Sequence, residues 1–145
     1  MLGRSEFPIF ALVDSSSTFS FDRTERLKSR KIIASLFKGG KSFVAYPLRV
    51  VWTPSNAGEQ GSATVCISVS KRLYKTAVQR NRLKRQIREA YRLQKEEFYE
   101  RLKTGRQHVS LMITYIAKEP LPYSEISAGV KKMIRKFPFE SLGEP

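Results

Sequence analysis

The chain has 145 residues, 41% of them hydrophobic, the size of one domain that can bury an ordinary core without disulfides or a structural metal. Its 27 Lys and Arg against 13 Asp and Glu leave a net charge of +14, more than solubility demands, which points to a polyanionic partner, nucleic acid ahead of an anionic membrane. The single cysteine, Cys66, rules out a disulfide framework and a cysteine-based metal cluster, and no run approaches the ~18 apolar residues of a membrane-spanning helix.

Residues 1–18 read as a poorly ordered arm closing on Ser15-Ser16-Ser17-Thr18, followed by one domain over 19–140 and a tail over 141–145. The apolar stretch Phe7–Val13 is short, contains Pro8 and has only Arg4 before it, a poor match to a secretion signal. Ser29 is placed to cap a short helix in which Ile33, Leu36 and Phe37 fall at i, i+3 and i+4, and Gly39-Gly40 stops it. Leu48-Arg49-Val50-Val51-Trp52 is a β-branched and aromatic run closed by Pro54 and a Gly-containing loop, which predicts a strand followed by a hairpin. Thr64–Ser70 alternates, with Val65, Ile67 and Val69 on one face and Thr64, Cys66, Ser68 and Ser70 on the other.

From Arg80 to about Lys103 the period becomes helical: Leu83, Ile87, Ala90, Tyr91 and Phe98 cluster on one side. Gly105 ends that helix, Val109–Ala117 gives another strand, and Ile126, Val130, Ile134 and Phe137 stripe a last amphipathic helix after Pro120 and Pro122. The order predicts an α+β sandwich, a sheet of about four strands packed with three helices.

The charge is concentrated. Between Lys71 and Lys95 stand 10 Lys or Arg in 25 residues, with Glu89 the only acid, whereas an ordinary solvated helix mixes Glu with Lys at i, i+4. Arg80, Asn81, Lys84, Arg85, Arg88 and Arg92 fan across the arc beside the apolar stripe. Guanidinium forks suit bidentate contact with phosphates, and the Asn81 amide offers both a donor and an acceptor. An interfacial membrane helix would need a broad apolar face, but Leu83, Ile87 and Tyr91 are about what a domain core consumes. A helix-turn-helix DNA reader would need a helix before its recognition helix, where Ile67-Ser68-Val69-Ser70 reads as strand. No catalytic residue and no metal ligand set is assigned: His108 is the only histidine and begins a strand, and no nucleophile has a local base partner. Phe37 and Trp52 are open to two readings, platforms for splayed bases or core packing.

The segment Ile67-Ser68-Val69-Ser70-Lys71-Arg72 followed by Arg80-Asn81-Arg82-Leu83-Lys84-Arg85-Gln86-Ile87-Arg88 resembles the protein subunit of bacterial ribonuclease P, whose motif is an R-N-R-x-x-R helix core reached from an S-V-S-K-[KR] strand end. The likeness runs over about Phe19 to Phe137 and takes in Glu25–Arg30 and Phe37–Gly40. It implies a left-handed βαβ crossover carrying the basic helix, against the usual right-handed rule. It also implies a cytoplasmic ribonucleoprotein endoribonuclease that removes the 5′ leader of precursor tRNA, with Mg²⁺ held mainly by a catalytic RNA subunit and the protein as accessory subunit. The implied partners are that RNA and precursor tRNA, with no membrane and no obligate protein partner. Carried onto this chain, the RNA-facing residues are Lys71, Arg72, Arg80, Asn81, Arg82, Lys84, Arg85 and Arg88, to which the charged arc of the helix adds Arg92. The leader cleft between the first helix and the sheet would be lined by Ile33, Phe37, Val50, Trp52 and Ser68. Ile33 stands where a Phe is usual and Trp52 where a Tyr is usual, the latter match needing a one-residue gap near Tyr46-Pro47; Tyr74 stands where a Gly is common. The alternative from the residues alone is a noncatalytic, ribosomal-type RNA-binding protein.

Overall fold

The computed structural model describes residues 25–27, 30–54 and 61–139; the expected arm over 1–18, the tail over 141–145 and the cap at Ser29 lie outside them. The elements are α1 (Arg30–Gly39), β1 (Lys41–Ala45), β2 (Leu48–Pro54), β3 (Ser62–Val69), α2 (Ala77–Thr104), β4 (His108–Tyr115) and α3 (Tyr123–Lys136). Four strands form one mixed sheet in the order β1-β2-β4-β3, antiparallel except for the β3·β4 pair. That pair, joined through α2, is a βαβ unit.

One sequence expectation fails here: β2 and β3 do not form a hairpin, because β4 lies between them. The hairpin is β1·β2, closed by Tyr46-Pro47 across the pair Ala45↔Leu48. Two consecutive strands look like a hairpin in sequence, and only a strand from beyond the long helix α2 separates them.

Alternation along each strand divides the sheet into two faces. Leu48, Val50 and Trp52 of β2 share a face with Val109, Leu111, Ile113 and Tyr115 of β4 and with Ala63, Val65 and Val69 of β3, and all are buried. Against this face pack Leu83, Ile87, Ala90, Tyr91 and Phe98 of α2 and Ile126, Val130, Met133 and Ile134 of α3. Trp52, Phe98 and Phe137 form its aromatic centre, with Phe137 5.0 Å from Trp52 and 5.1 Å from Phe98 between ring centroids. A Cβ on Gly129 would lie 2.8 Å from Pro47 Cδ, so α3 reaches the β1–β2 turn only because that position is glycine.

Among the described residues, the opposite face is covered by α1 and by Leu27. Leu36 is buried against Met112, with Ile32, Ile33, Val51 and Cys66 around them and Leu27 closing the cluster. Residues 25–27 run along the outer edge of β3, where the Leu27 N–H donates to the Val65 carbonyl at 2.9 Å. Glu25 fixes this segment: its carboxylate accepts from Lys95 Nζ at 2.7 and 2.5 Å and from the Tyr99 hydroxyl at 2.6 Å. Lys95 is only 4% exposed, so the ion pair offsets a desolvation cost that neither partner could bear alone.

Candidate nucleic-acid interface

Helix α2 starts earlier than its charge pattern suggests. The Thr76 side chain accepts from the Gln79 N–H at 3.2 Å and sets the first turn at Ala77. The preceding loop is held from two directions. Tyr74 is buried, donates its hydroxyl to the Ala117 carbonyl at 2.7 Å and packs edge-on against Tyr115 at 5.8 Å. Burial pushes its phenol up to about 12. Arg80 donates to the carbonyls of Tyr74 and Lys75 at 2.8 and 3.0 Å. A Tyr where Gly is common thus makes the loop a packed element.

Parallel pairing of Val69 with Tyr115 brings the carboxyl ends of β3 and β4 to one edge of the sheet, the edge from which α2 departs. There Lys71, Arg72 and Lys75 of the loop and Asn81, Arg82 and Arg85 of the helix are exposed, while Lys84 and Arg88 are half-buried along the flank. Of the nine residues read from sequence for RNA contact, two are already engaged within the protein. Arg80 clamps the loop, and Arg92 makes a two-pronged pair with Glu89 at 2.9 and 2.7 Å. Hydrogen bonding by Arg92 holds the Glu89 carboxyl below its usual range. Across from Glu89, burial and then that carboxylate raise the Tyr123 phenol.

The proposed cleft lining divides between the two faces. Ile33 and Phe37 lie on α1, Phe37 with 72% of its surface exposed, and Ser68 lies on the sheet face that α1 covers. Val50 and Trp52 do not belong there: they are 0% and 2% exposed, and they face α2 and α3 on the other side of the sheet. The match of Trp52 to the cleft needs a one-residue gap near Tyr46-Pro47, and in a strand one residue decides the face. On the α1 side stand Arg49, Val51 and Thr53 instead. Register aligns Val44, Arg49, Thr114 and Ser68 in one row across the sheet, a mainly polar strip beside the apolar patch under α1. Sequence reasoning did not place Arg49, Val51 and Thr114 on the face that α1 covers. The signal was present in β2, where Arg49 and Thr53 alternate with Leu48, Val50 and Trp52.

His108 is buried with Nδ1 3.1 Å from Ser62 Oγ, at the opposite end of β4 from the basic edge. Burial raises the Cys66 thiol, and Lys84 partly counters the shift. Among the described residues no three His, Cys, Asp or Glu side chains converge as a metal site, and no helix is long and apolar enough to cross a membrane.

A family model described as Ribonuclease P matches residues 21–137. The chain is 32% identical over 120 residues to the ribonuclease P protein component of Porphyromonas gingivalis, covering 83% of this chain and 88% of that one. It is 33% identical over 116 residues to the ribonuclease P protein component of Clostridioides difficile, covering 80% and 94%. In fold it is similar to the solved RNase P proteins of Staphylococcus aureus (TM-score 0.60, 23% identity, covering 78% of this chain and 94% of that one) and Thermotoga maritima (0.62, 20%, 78% and 97%).

Proposed function

Because the chain belongs to the bacterial ribonuclease P protein family, we propose that it acts as the accessory protein subunit of a cytoplasmic ribonucleoprotein endoribonuclease, binding the catalytic RNA and the 5′ leader of precursor tRNA so that the leader is removed. The observation that carries this reading is the gathering of Lys71, Arg72, Lys75, Asn81, Arg82 and Arg85, all exposed, at one edge of the sheet. Cations held at fixed spacing on a helix and its anchored loop neutralise successive phosphates and gain affinity through counterion release. Arg80 serves this surface by positioning the loop, and Lys84 and Arg88 extend it along the helix.

For the leader, the proposed seat is the strip between α1 and the sheet. Exposed Phe37 offers a stacking surface, Ile33 and Val51 an apolar floor, and Ser68, Thr114 and Arg49 hydrogen-bond donors for sugar and phosphate. On this reading the Mg²⁺ ions belong to the RNA subunit.

The test is reconstitution. Protein plus the RNA subunit at low Mg²⁺ should release the leader from precursor tRNA, protein alone should not, and RNA alone should be slower. Correct 5′ cleavage by RNase-free protein without RNA would overturn the assignment.

A further inference from the structure

We propose that the groove between the first turns of α2 and the segment Pro120–Tyr123 receives one unpaired nucleotide of the RNA partner, its base stacked on Tyr123 and its edge read by Gln86. This rests on the RNA-binding reading above and adds to it a base-recognising site beside the phosphate-neutralising surface.

The groove encloses about 460 Å³, inside the roughly 300–1,000 Å³ of small-ligand sites. Its floor is apolar, formed by Leu83 and Leu121, and its helical wall carries Gln79, Arg82 and Gln86 at i, i+3 and i+7. Opposite them stands Tyr123, 36% exposed. Among the described residues, none of the side chains of Gln79, Arg82 and Gln86 has a hydrogen bond or ion pair. An amide presents a donor and an acceptor side by side, the complement of adenine's amino group and adjacent ring nitrogen, and Arg82 at the rim suits the phosphate of the same nucleotide. A ring, an amide and a cation around a slot of this size match a base splayed out of its helix.

The far wall is preorganised. The Tyr115 hydroxyl accepts from the Leu121 N–H at 2.9 Å and donates to the Glu119 carbonyl at 2.8 Å, while Tyr74 holds Ala117. The groove therefore opens ready-formed at the carboxyl ends of two adjacent parallel strands, the usual location of ligand crevices in βαβ units. Phosphate contacts alone position an RNA without reading it, so this groove supplies what the cations cannot.

The experiment measures binding of the full chain to the RNA subunit against salt, with base-specific chemical footprinting, for wild type, Tyr123→Ala, Tyr123→Phe, Gln86→Ala and Arg85→Ala. Thermal unfolding checks each variant. Tyr123→Ala and Gln86→Ala should each weaken binding by roughly 5- to 150-fold with an unchanged slope of log K on log salt. Tyr123→Phe should keep most of the affinity. One unpaired base protected by wild type should become reactive with Tyr123→Ala. Gln86→Ala removes a half-exposed side chain and decides the matter should Tyr123→Ala unfold. Wild-type affinity in folded variants, a changed salt slope, or protection confined to duplex would overturn the groove as a base site while leaving RNA binding standing. Failure of wild type itself to bind the RNA, with Arg85→Ala no different, would instead remove the underlying reading.

Discussion

Replacing Trp52 with Ala separates a core role from a leader-binding role. Trp52 is 2% exposed, its ring lies 5.0 Å from that of Phe137, and Lys41 Nζ sits 5.6 Å from its centroid. A buried Trp removes about 150–250 Å² from water. Losing most of that at about 25 cal/mol per Å² costs roughly 3–4 kcal/mol. The aromatic contact with Phe137 adds about 0.5–1.5 kcal/mol. The sum sits near the upper end of the ~3–5 kcal/mol seen for Trp and Phe truncations in cores. For a domain of this size the midpoint of thermal unfolding should fall by on the order of 10–20 °C. RNA-subunit binding and precursor-tRNA processing should then decline together as the unfolded fraction grows, and both should recover on cooling. Urea unfolding at 25 °C gives the stability, and gel-shift titration with precursor and mature tRNA gives the discrimination. A folded Trp52→Ala protein with near-normal stability and a selective loss of leader discrimination would refute the assignment of Trp52 to the α2–α3 side.

Glu25→Ala leaves Lys95 buried without its carboxylate and should cost about 3–5 kcal/mol, with faster amide exchange at Leu27; replacing both residues by apolar ones should cost less, as a double-mutant cycle would show. Arg85→Ala should weaken RNA binding and reduce the slope of log K on log salt by about one, with the unfolding midpoint unchanged. Glu89→Gln removes the anion that occupies Arg92 and should tighten RNA binding and steepen that slope, measured in the same titration. Tyr74 keeps its proton in the folded protein up to about 12. Above the ordinary phenol value near 10 the unfolded chain binds fewer protons than the folded one, so stability should fall by about 1.4 kcal/mol per pH unit between them. Tyr74→Phe should flatten the alkaline arm in urea titrations at pH 9 to 12, although it loses the hydrogen bond to Ala117.

The basic helix and its apolar stripe were legible in the chain because both depend on local periodicity. Leu83, Ile87, Ala90, Tyr91 and Phe98 recur at helical spacing whatever they pack against, and all are buried. The same holds for β3, where Val65 and Val69 turn inward and Thr64, Cys66 and Ser68 turn away. The R-N-R segment after its strand end identified the family because order along a chain is a property of sequence itself. What sequence could not fix was pairing between distant strands. Nothing local to Leu48–Trp52 announces that β4 will separate it from β3, and at a period of two residues only the folded sheet shows which face Val50 and Trp52 take. The commitments of individual charges were equally hidden: Arg80 to the Tyr74–Lys75 carbonyls, Arg92 to Glu89 and Lys95 to Glu25 are decided by side chains meeting in space, one pair across 70 residues of chain. Local composition set where positive charge accumulates. The tertiary structure decided which of those charges remain exposed for a partner, because an ion pair or a clamp depends on distances that only the folded chain brings within reach.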